Sequence, residues 1–318
     1  MPPADPMLSV VVPLKDEADN LEPLADRLRV VLDGVTTRWE VVLVDDGSVD
    51  DTYRLAVGLH ETDARFKVVR LSRNFGHQVA LSAGLDMARG DAVVTMDGDL
   101  QHPPEVIPEL VQRWHDGAQV VYGTMAERQG ESRLKDVTAR AFYRTLTRLT
   151  DIDVPLAAGD FRLVDRAALD AFLSMREANR YLRGMFSWVG FEQVGVPYAS
   201  PARAGGESKY TLGRMLRLAA DAIVSFSDKP LRLALNLGFV VSAASILFGL
   251  SAVVSKLAGV EVVPGWTSVM ILVGFVGGVQ LIVLGIIGEY VGRISEEVKA
   301  RPLYVVRAVH GVGDSRRR

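Results

Sequence analysis

The sequence predicts an α/β fold, a mostly parallel doubly wound sheet, followed by an amphipathic helix and two membrane-spanning helices. Two observations carry this prediction. Over the first two thirds of the chain, short β-branched runs alternate with helix-patterned stretches, as in strands joined by crossover helices. In the last third, residues 233–255 and 268–288 contain no charged side chain, and both runs exceed the roughly 20 residues a helix needs to cross the hydrocarbon core. Apolar residues are 48% of the 318, but this uneven distribution calls for separate modules instead of one large core. The expected organisation is a catalytic-type α/β domain at 1–209, an interfacial helix region at 210–232, a transmembrane hairpin at 233–290 and a tail at 291–318.

Taken in order, strands are expected at residues 8–13, 39–45, 67–71 and 92–96, with helices at 17–32, 51–59 and 77–88 between them. The opening MPPADPMLSVVV has no basic n-region and soon meets Lys15 and Asp16, so it reads as a first strand and not as a signal peptide. Pro104 suits the first turn of a helix running to about residue 114, and a strand follows at 119–122. A long basic helix is expected at 132–149, and further strand and helix at 159–200. Between 210 and 227, Leu212, Met215, Leu216, Ala219, Ile223 and Phe226 recur at helical spacing with Arg214 and Arg217 off the stripe. That pattern suits a helix lying in the membrane interface or an ordinary packed helix.

Lys and Arg crowd both flanks of the apolar pair, whereas the connecting turn holds only Lys256 and Glu261. The catalytic domain and both termini are therefore expected on the cytoplasmic side of the plasma (inner) membrane. Small residues in the second run, Gly274, Gly277 and Gly278, would permit close packing in a homo-oligomer. A net charge of -3 and pI near 6.0 argue against nucleic acid as a partner. With no cysteine there is no disulfide, thiolate nucleophile or Cys-based zinc site. The chain has no Walker lysine loop, GxGxxG or HExxH, and its five histidines read mostly as surface or capping residues.

In open α/β sheets ligands bind at the carboxyl ends of the strands, and the polar clusters of this chain fall there. The strand at 92–96 runs into Asp97-Gly98-Asp99-Leu100-Gln101. In an extended segment Asp97, Asp99 and Gln101 would point to one side, an oxygen set suited to Mg²⁺ or Mn²⁺. A calcium EF-hand loop fails on its sixth and twelfth positions, His102 and Pro108, while a plain turn stays open as an alternative. Asp45 and Asp46 end the second strand, where they can form an Asx-turn and N-cap or accept hydrogen bonds from a base or ribose. Lys15 and Glu17 end the first.

VVPLKDE, VDDGSVDDT, RNFGHQVALSAGLDMARGD, MDGDLQHPPE, GDFRL and RAGGESKY occur in that order. Over roughly residues 8–230 the chain thus resembles the family-2 polyisoprenyl-phosphate glycosyltransferases, which include dolichol-phosphate mannose synthases and bacterial bactoprenol-phosphate glucosyltransferases. Its two-span tail is similar to the bacterial members. The resemblance implies a GT-A fold with Pro13, Glu17, Asp46 and Asp97 around the nucleoside, along with Lys15, Asp45, Gly76 and Gly98 of the same motifs. It implies Asp97, Asp99 and Gln101 on a Mg²⁺ or Mn²⁺ ion at the donor diphosphate. Arg203, Ser208 and Lys209 would meet the phosphate of a polyprenyl (undecaprenyl) acceptor, on a loop freed by Gly205 and Gly206. Arg128 and Arg133 would join them or form a solvated helix face.

Asp160 in GDFRL would position the sugar or act as a base, with positioning preferred because the acceptor phosphate is already charged. The implied reaction is inverting transfer of a hexose, first of all glucose from UDP-glucose, with GDP-mannose or an aminopentose donor as alternatives. A processive polysaccharide synthase would need a QxxRW motif where the chain reads RYLRGMFSWVG, and a non-catalytic nucleotide-sugar-binding protein would not need the Asp97, Asp99 and Gln101 set. The chain departs from the family pattern at Lys15 and Asp16, usually an aromatic residue and Asn, at Gly98 for Ala, and at His102 for Asp.

Overall fold

The computed structural model describes residues 3, 5–125, 158–178, 180–199, 229–258 and 265–312. These belong to two compact units: residues 302–312 join the N-terminal α/β unit, and the apolar helix pair forms the other. The elements run β1 (Leu8–Leu14), α1 (Ala18–Asp33), β2 (Trp39–Asp45), α2 (Thr52–Thr62), β3 (Phe66–Leu71), α3 (His77–Met87) and β4 (Ala92–Thr95). Next come α4 (Ile107–His115), β5 (Val120–Met125), β6 (Ala158–Asp165), α5 (Arg166–Ser174), α6 (Leu182–Trp188) and β7 (Gln193–Tyr198). The chain continues through α7 (Lys229–Leu257), α8 (Trp266–Val298) and β8 (Val306–His310).

Among the described residues the strands form one sheet in the order β7-β5-β6-β4-β1-β2-β3-β8. Every residue of β1 and β2 is buried, as expected of central strands covered on both faces. Successive crossovers carry the chain from β1 through β2 to β3 in one direction, and β4 then returns to the other side of β1. The reversal opens a crevice at the carboxyl ends of β1 and β4, where such sheets take ligands. The pairings of β1 with β2 and β4, β2 with β3, and β5 with β7 are parallel. Those of β6 with β4 and β5, and of β8 with β3, are antiparallel. The expected parallel core is present, and the sheet as a whole is mixed.

α1 lays Leu21, Leu24, Ala25, Leu28 and Leu32 onto the sheet at helical spacing. α3 packs against β1 and β2 with Gly84 at the closest approach, since a Cβ there would sit 2.2 Å from Val11 Cγ1.

The stretch read as a tail from residue 291 divides differently. α8 continues to Val298, and Val306–His310 is an edge strand paired with β3. Five residues of alternating exposure give a weak sequence signal, which is why the strand was not foreseen. The helices expected at 132–149 and 210–227 lie outside the described residues.

In the second unit α7 and α8 pack on one another. Their apolar stretches, Leu231–Ser251 and Leu272–Val298, have mean hydropathies of 2.1 and 2.0 and are long and apolar enough to cross a membrane. Leu247, Phe248, Leu281 and Ile282 are each more than 60% exposed, an apolar surface that suits lipid and not water.

Gly84→Ala tests the α3 contact. Alanine gains about 1 kcal/mol of helix propensity, but the overlap with Val11 costs about 1–3 kcal/mol as overpacking. The expected result is a lower melting temperature for the purified chain in a thermal-shift assay.

Candidate active site

The tips of β1 and β2 are laced together by short polar side chains. Asp16 and Glu17 donate their backbone N–H groups to Ser48 Oγ at 3.0 Å and Thr52 Oγ1 at 2.8 Å. The Asp16 carboxylate accepts from Val49 N–H at 2.8 Å, and Lys15 Nζ donates to the Gly47 carbonyl at 3.1 Å. Gly47 has φ +68°, and a Cβ there would lie 2.7 Å from the Arg73 carbonyl carbon, so the turn demands glycine. Lys15 and Asp16 pair with each other at 2.8 Å and thus serve this lacing.

Asp45 and Asp46, read as alternatives between turn and ligand contact, carry the turn. Asp45 is fully buried, accepts from Ser48 N–H at 3.0 Å and faces Arg70 Nε at 3.2 Å. Asp46 spans the amides of Phe75 and Gly76 at 2.7 and 2.9 Å, fixing the turn that starts α3, and burial raises its pKa in spite of them. Gly76, with φ +98°, is the residue before that helix.

β4 ends at Thr95, one residue earlier than expected, and the segment after it bends, with Leu100 at φ +61°. The Asp97, Asp99 and Gln101 set is therefore gathered by a turn and not by the pleat of a strand. Asp99 Oδ1 accepts the Gln101 N–H at 3.1 Å. Burial pushes Asp97 up, with the charges of Asp160 and Asp99 adding to the rise and His102 and His77 opposing it. Burial also pushes Glu17 up, and the charges of Asp99 and Asp97 add to this. The tips of β1 and β4 thus share one acidic field, next to Pro13 and Gly98. The Gly98 Cα faces the Leu14 side chain, which an added Cβ would approach to 2.7 Å. No group of three His, Asp or Glu side chains closes a metal cage among the described residues.

Asp160 enters from β6, the antiparallel neighbour of β4, where Thr95 Oγ1 donates to its carbonyl at 2.5 Å. Arg183, at the start of α6, grips the carboxylate with Nε at 3.0 Å and Nη2 at 3.1 Å. Burial alone would raise Asp160, but His77, Arg183 and the buried Arg162 hold it far below the usual carboxylate range. Arg162 donates to the Gly159 carbonyl at 2.7 Å and lies over the Phe186 ring; burial lowers its own pKa to about 10.

Two histidines meet these carboxylates: His77, one of a set read mostly as surface or capping residues, and His102, a departure from the family pattern that would adjust the metal's surroundings or do nothing. His102 is 7% exposed and stacks on Phe161, and its Nδ1 accepts the Asp97 N–H at 2.9 Å. Tyr198 closes the aromatic group edge-on to both rings and is raised to about 12, first by burial and then by Asp97 and Asp99. His77 Nε2 lies 3.4 Å from Asp97 Oδ1 and 3.7 Å from Asp160 Oδ2. Burial works against a charged His77, but Asp160 and Asp97 outweigh it and the net shift is upward. The available signal was His77's place inside RNFGHQ. Arg183 had no motif of its own. Arg128, Arg133, Arg203, Ser208 and Lys209 lie outside the described residues.

The sheet order, the acidic field at its switch point and the antiparallel strand that brings Asp160 to it define a GT-A glycosyltransferase fold. The chain belongs to glycosyl transferase family 2, whose model matches residues 9–173, and a second model, the GtrB C-terminal hairpin, matches residues 229–294. An uncharacterized glycosyltransferase of Synechocystis sp. is 44% identical over 96% of each chain. A bactoprenol glucosyl transferase of Shigella phage SfII is 36% identical over 95% of this chain and 98% of its own. Glucosyl-3-phosphoglycerate synthase from Mycobacterium tuberculosis, solved in complex with Mn²⁺, UDP and glucosyl-3-phosphoglycerate, shares the fold at a TM-score of 0.50 and 22% identity, covering 70% of this chain and 80% of its own.

Arg183→Met strands the Asp160 carboxylate with only His77 and Arg162. Because Arg183 is one-third exposed, the expected loss is about 1–3 kcal/mol, below that of a fully buried pair. The folded pKa of Asp160 lies below its unfolded value, so its contribution is complete above about pH 5 and is lost as pH falls further. The variant should therefore unfold at a higher pH than wild type in an acid titration followed by circular dichroism.

Proposed function

We propose that this glycosyltransferase moves glucose from UDP-glucose to the phosphate of a polyprenyl lipid at the cytoplasmic face of the plasma membrane, inverting the anomeric carbon. The observation that carries the reading is the presence, in one chain, of a nucleotide-sugar-type acidic site and a matching two-helix apolar hairpin. Relatives named bactoprenol glucosyl transferases support the lipid acceptor and the sugar. The excess of Lys and Arg on both flanks of the hairpin supports the cytoplasmic orientation.

The donor set fits a divalent Mg²⁺ or Mn²⁺ ion. Asp97, Asp99 and Gln101 offer hard oxygen ligands, and such a set suits an ion whose other positions are filled by substrate phosphates. Such an ion supplies Lewis-acid stabilisation of the departing nucleoside diphosphate. Glu17, Lys15, Pro13 and the turn held by Asp45 and Asp46 form the donor side, with Gly76 and Gly98 allowing close approach of the backbone.

The acceptor phosphate has a second pKa near 6 and arrives largely as a dianion, so it needs orientation more than deprotonation. Asp160 suits that division of labour. A general base works best with a pKa near the working pH, whereas Asp160 is held far below it and clamped by Arg183. In this reading Asp160 positions the sugar. Arg128, Arg133, Arg203, Ser208 and Lys209, assigned from the sequence motifs, receive the lipid phosphate.

Purified full-length chain given UDP-glucose, Mn²⁺ and a short polyprenyl phosphate should form a polyprenyl-phosphate glucose. EDTA should abolish the product, and Asp99→Ala should lower kcat/KM by about 10²–10³-fold, the several kcal/mol a metal contributes to transition-state charge. Product from another nucleotide-sugar in a donor panel, with none from UDP-glucose, would replace the sugar assignment. Single displacement predicts a β-linked lipid, read from the anomeric coupling constant by NMR. An α-linked product would exclude the inverting mechanism.

A further inference from the structure

We infer that His77 contacts the transferred hexose and reads one of its hydroxyl groups. The inference rests on the donor assignment above and extends it to a residue that no motif role covers. His77 opens α3, and its backbone is anchored from two directions. Asp46 holds the amides of the preceding Phe75 and Gly76, and the neighbouring Gln78 Oε1 accepts the Leu182 N–H of α6 at 3.2 Å. The imidazole reaches Asp97, just past β4, and Asp160, on β6.

Its Nε2 faces two carboxylates of different parentage, Asp97 of the nucleotide side at 3.4 Å and Asp160 of the opposite side at 3.7 Å. Both separations exceed the 2.7–3.2 Å of a good N–H···O bond, so neither carboxylate saturates the donor. A sugar hydroxyl both accepts and donates. One hydroxyl beside these groups can accept from the imidazole and donate to one of the two carboxylates, satisfying both partners at once.

Exposure orders the cluster in the same sense. The His77 side chain is 43% exposed, against 32% for Asp97 and 12% for Asp160, so a ligand entering the crevice meets the imidazole first. Arg183 occupies both oxygens of Asp160 and keeps it in place as the acceptor for that hydroxyl. The Nε2–H is present whether the ring is neutral or charged, because the facing carboxylates favour the proton on that nitrogen.

The test compares UDP with UDP-glucose, both measured by titration calorimetry on the full-length chain in detergent with saturating Mn²⁺. His77→Ala should leave the UDP dissociation constant within about twofold and weaken UDP-glucose by about tenfold, the worth of roughly one hydrogen bond. His77→Gln, which keeps an N–H donor at similar reach, should recover part of the loss. Equal weakening of both ligands, or of neither, overturns the assignment and leaves His77 a structural residue of the α3 turn. Should the alanine variant fail to fold, His77→Asn keeps a polar helix start yet falls short of the gap. It should show the same split between the ligands, and an unchanged ratio there overturns the inference equally. Wild-type chain that binds UDP but gains nothing from the glucose moiety would sink the donor assignment itself, an outcome distinct from failure of the variants.

Discussion

Like charges confined in a half-buried crevice set the terms for the rest of the catalytic unit. Glu17, Asp46 and Asp97 are all lifted above their ordinary range, first by burial, and all three also feel neighbouring carboxylates. Desolvating a carboxylate is costly unless hydrogen bonds or cations compensate. On the β2 tip the compensation is largely backbone, with amides of residues 48, 75 and 76 on Asp45 and Asp46, and Arg70 beside Asp45. On the β6 side it is cationic, from Arg183, Arg162 and His77 around Asp160. The two solutions leave different chemistry behind, since the first fixes a turn and the second holds a carboxylate far below its usual range.

Packing of the sheet and geometry of the site are the same problem seen at two depths. Gly84 lets α3 sit tightly on β1, which fixes the height of its first residue, His77, over the strand tips. Gly47 gives the β2 tip a turn that runs against the backbone of Arg73 and Asn74, bringing the 75–76 amides to Asp46. The aromatic group of Phe161, His102 and Tyr198 then supports Asp97 from below through its backbone N–H. Each carboxylate thus depends on a neighbour that is itself held by the core.

Much of this was legible in the residues. The β-branched runs at 8–14 and 39–45 are buried on both faces and therefore read as strands, and the acidic clusters fell at strand ends because only there does the chain leave the core. The uncharged runs of α7 and α8 announced themselves by length. What escaped was set by contacts distant in sequence. His77, Asp97 and Asp160 come from three elements, and Arg183 from a fourth, so no local spacing links them. His102 appeared a mere departure from pattern until its ring nitrogen was seen to accept the Asp97 amide. The turn at Leu100 also hides from period-two reasoning, which assumed an extended chain past Met96. β8 was missed because an exposed five-residue edge strand has almost no hydrophobic signature.

That last strand constrains topology without reference to charge. β8 follows the apolar hairpin in the chain yet hydrogen-bonds to β3, which precedes it. The segments on either side of the helix pair thus meet in one sheet, so a bilayer crossed by α7 would have to be recrossed by α8. It also imposes an order on biosynthesis: the outer margin of the sheet stays open until both helices have left the ribosome, so closure of the α/β unit waits on completion of the hairpin.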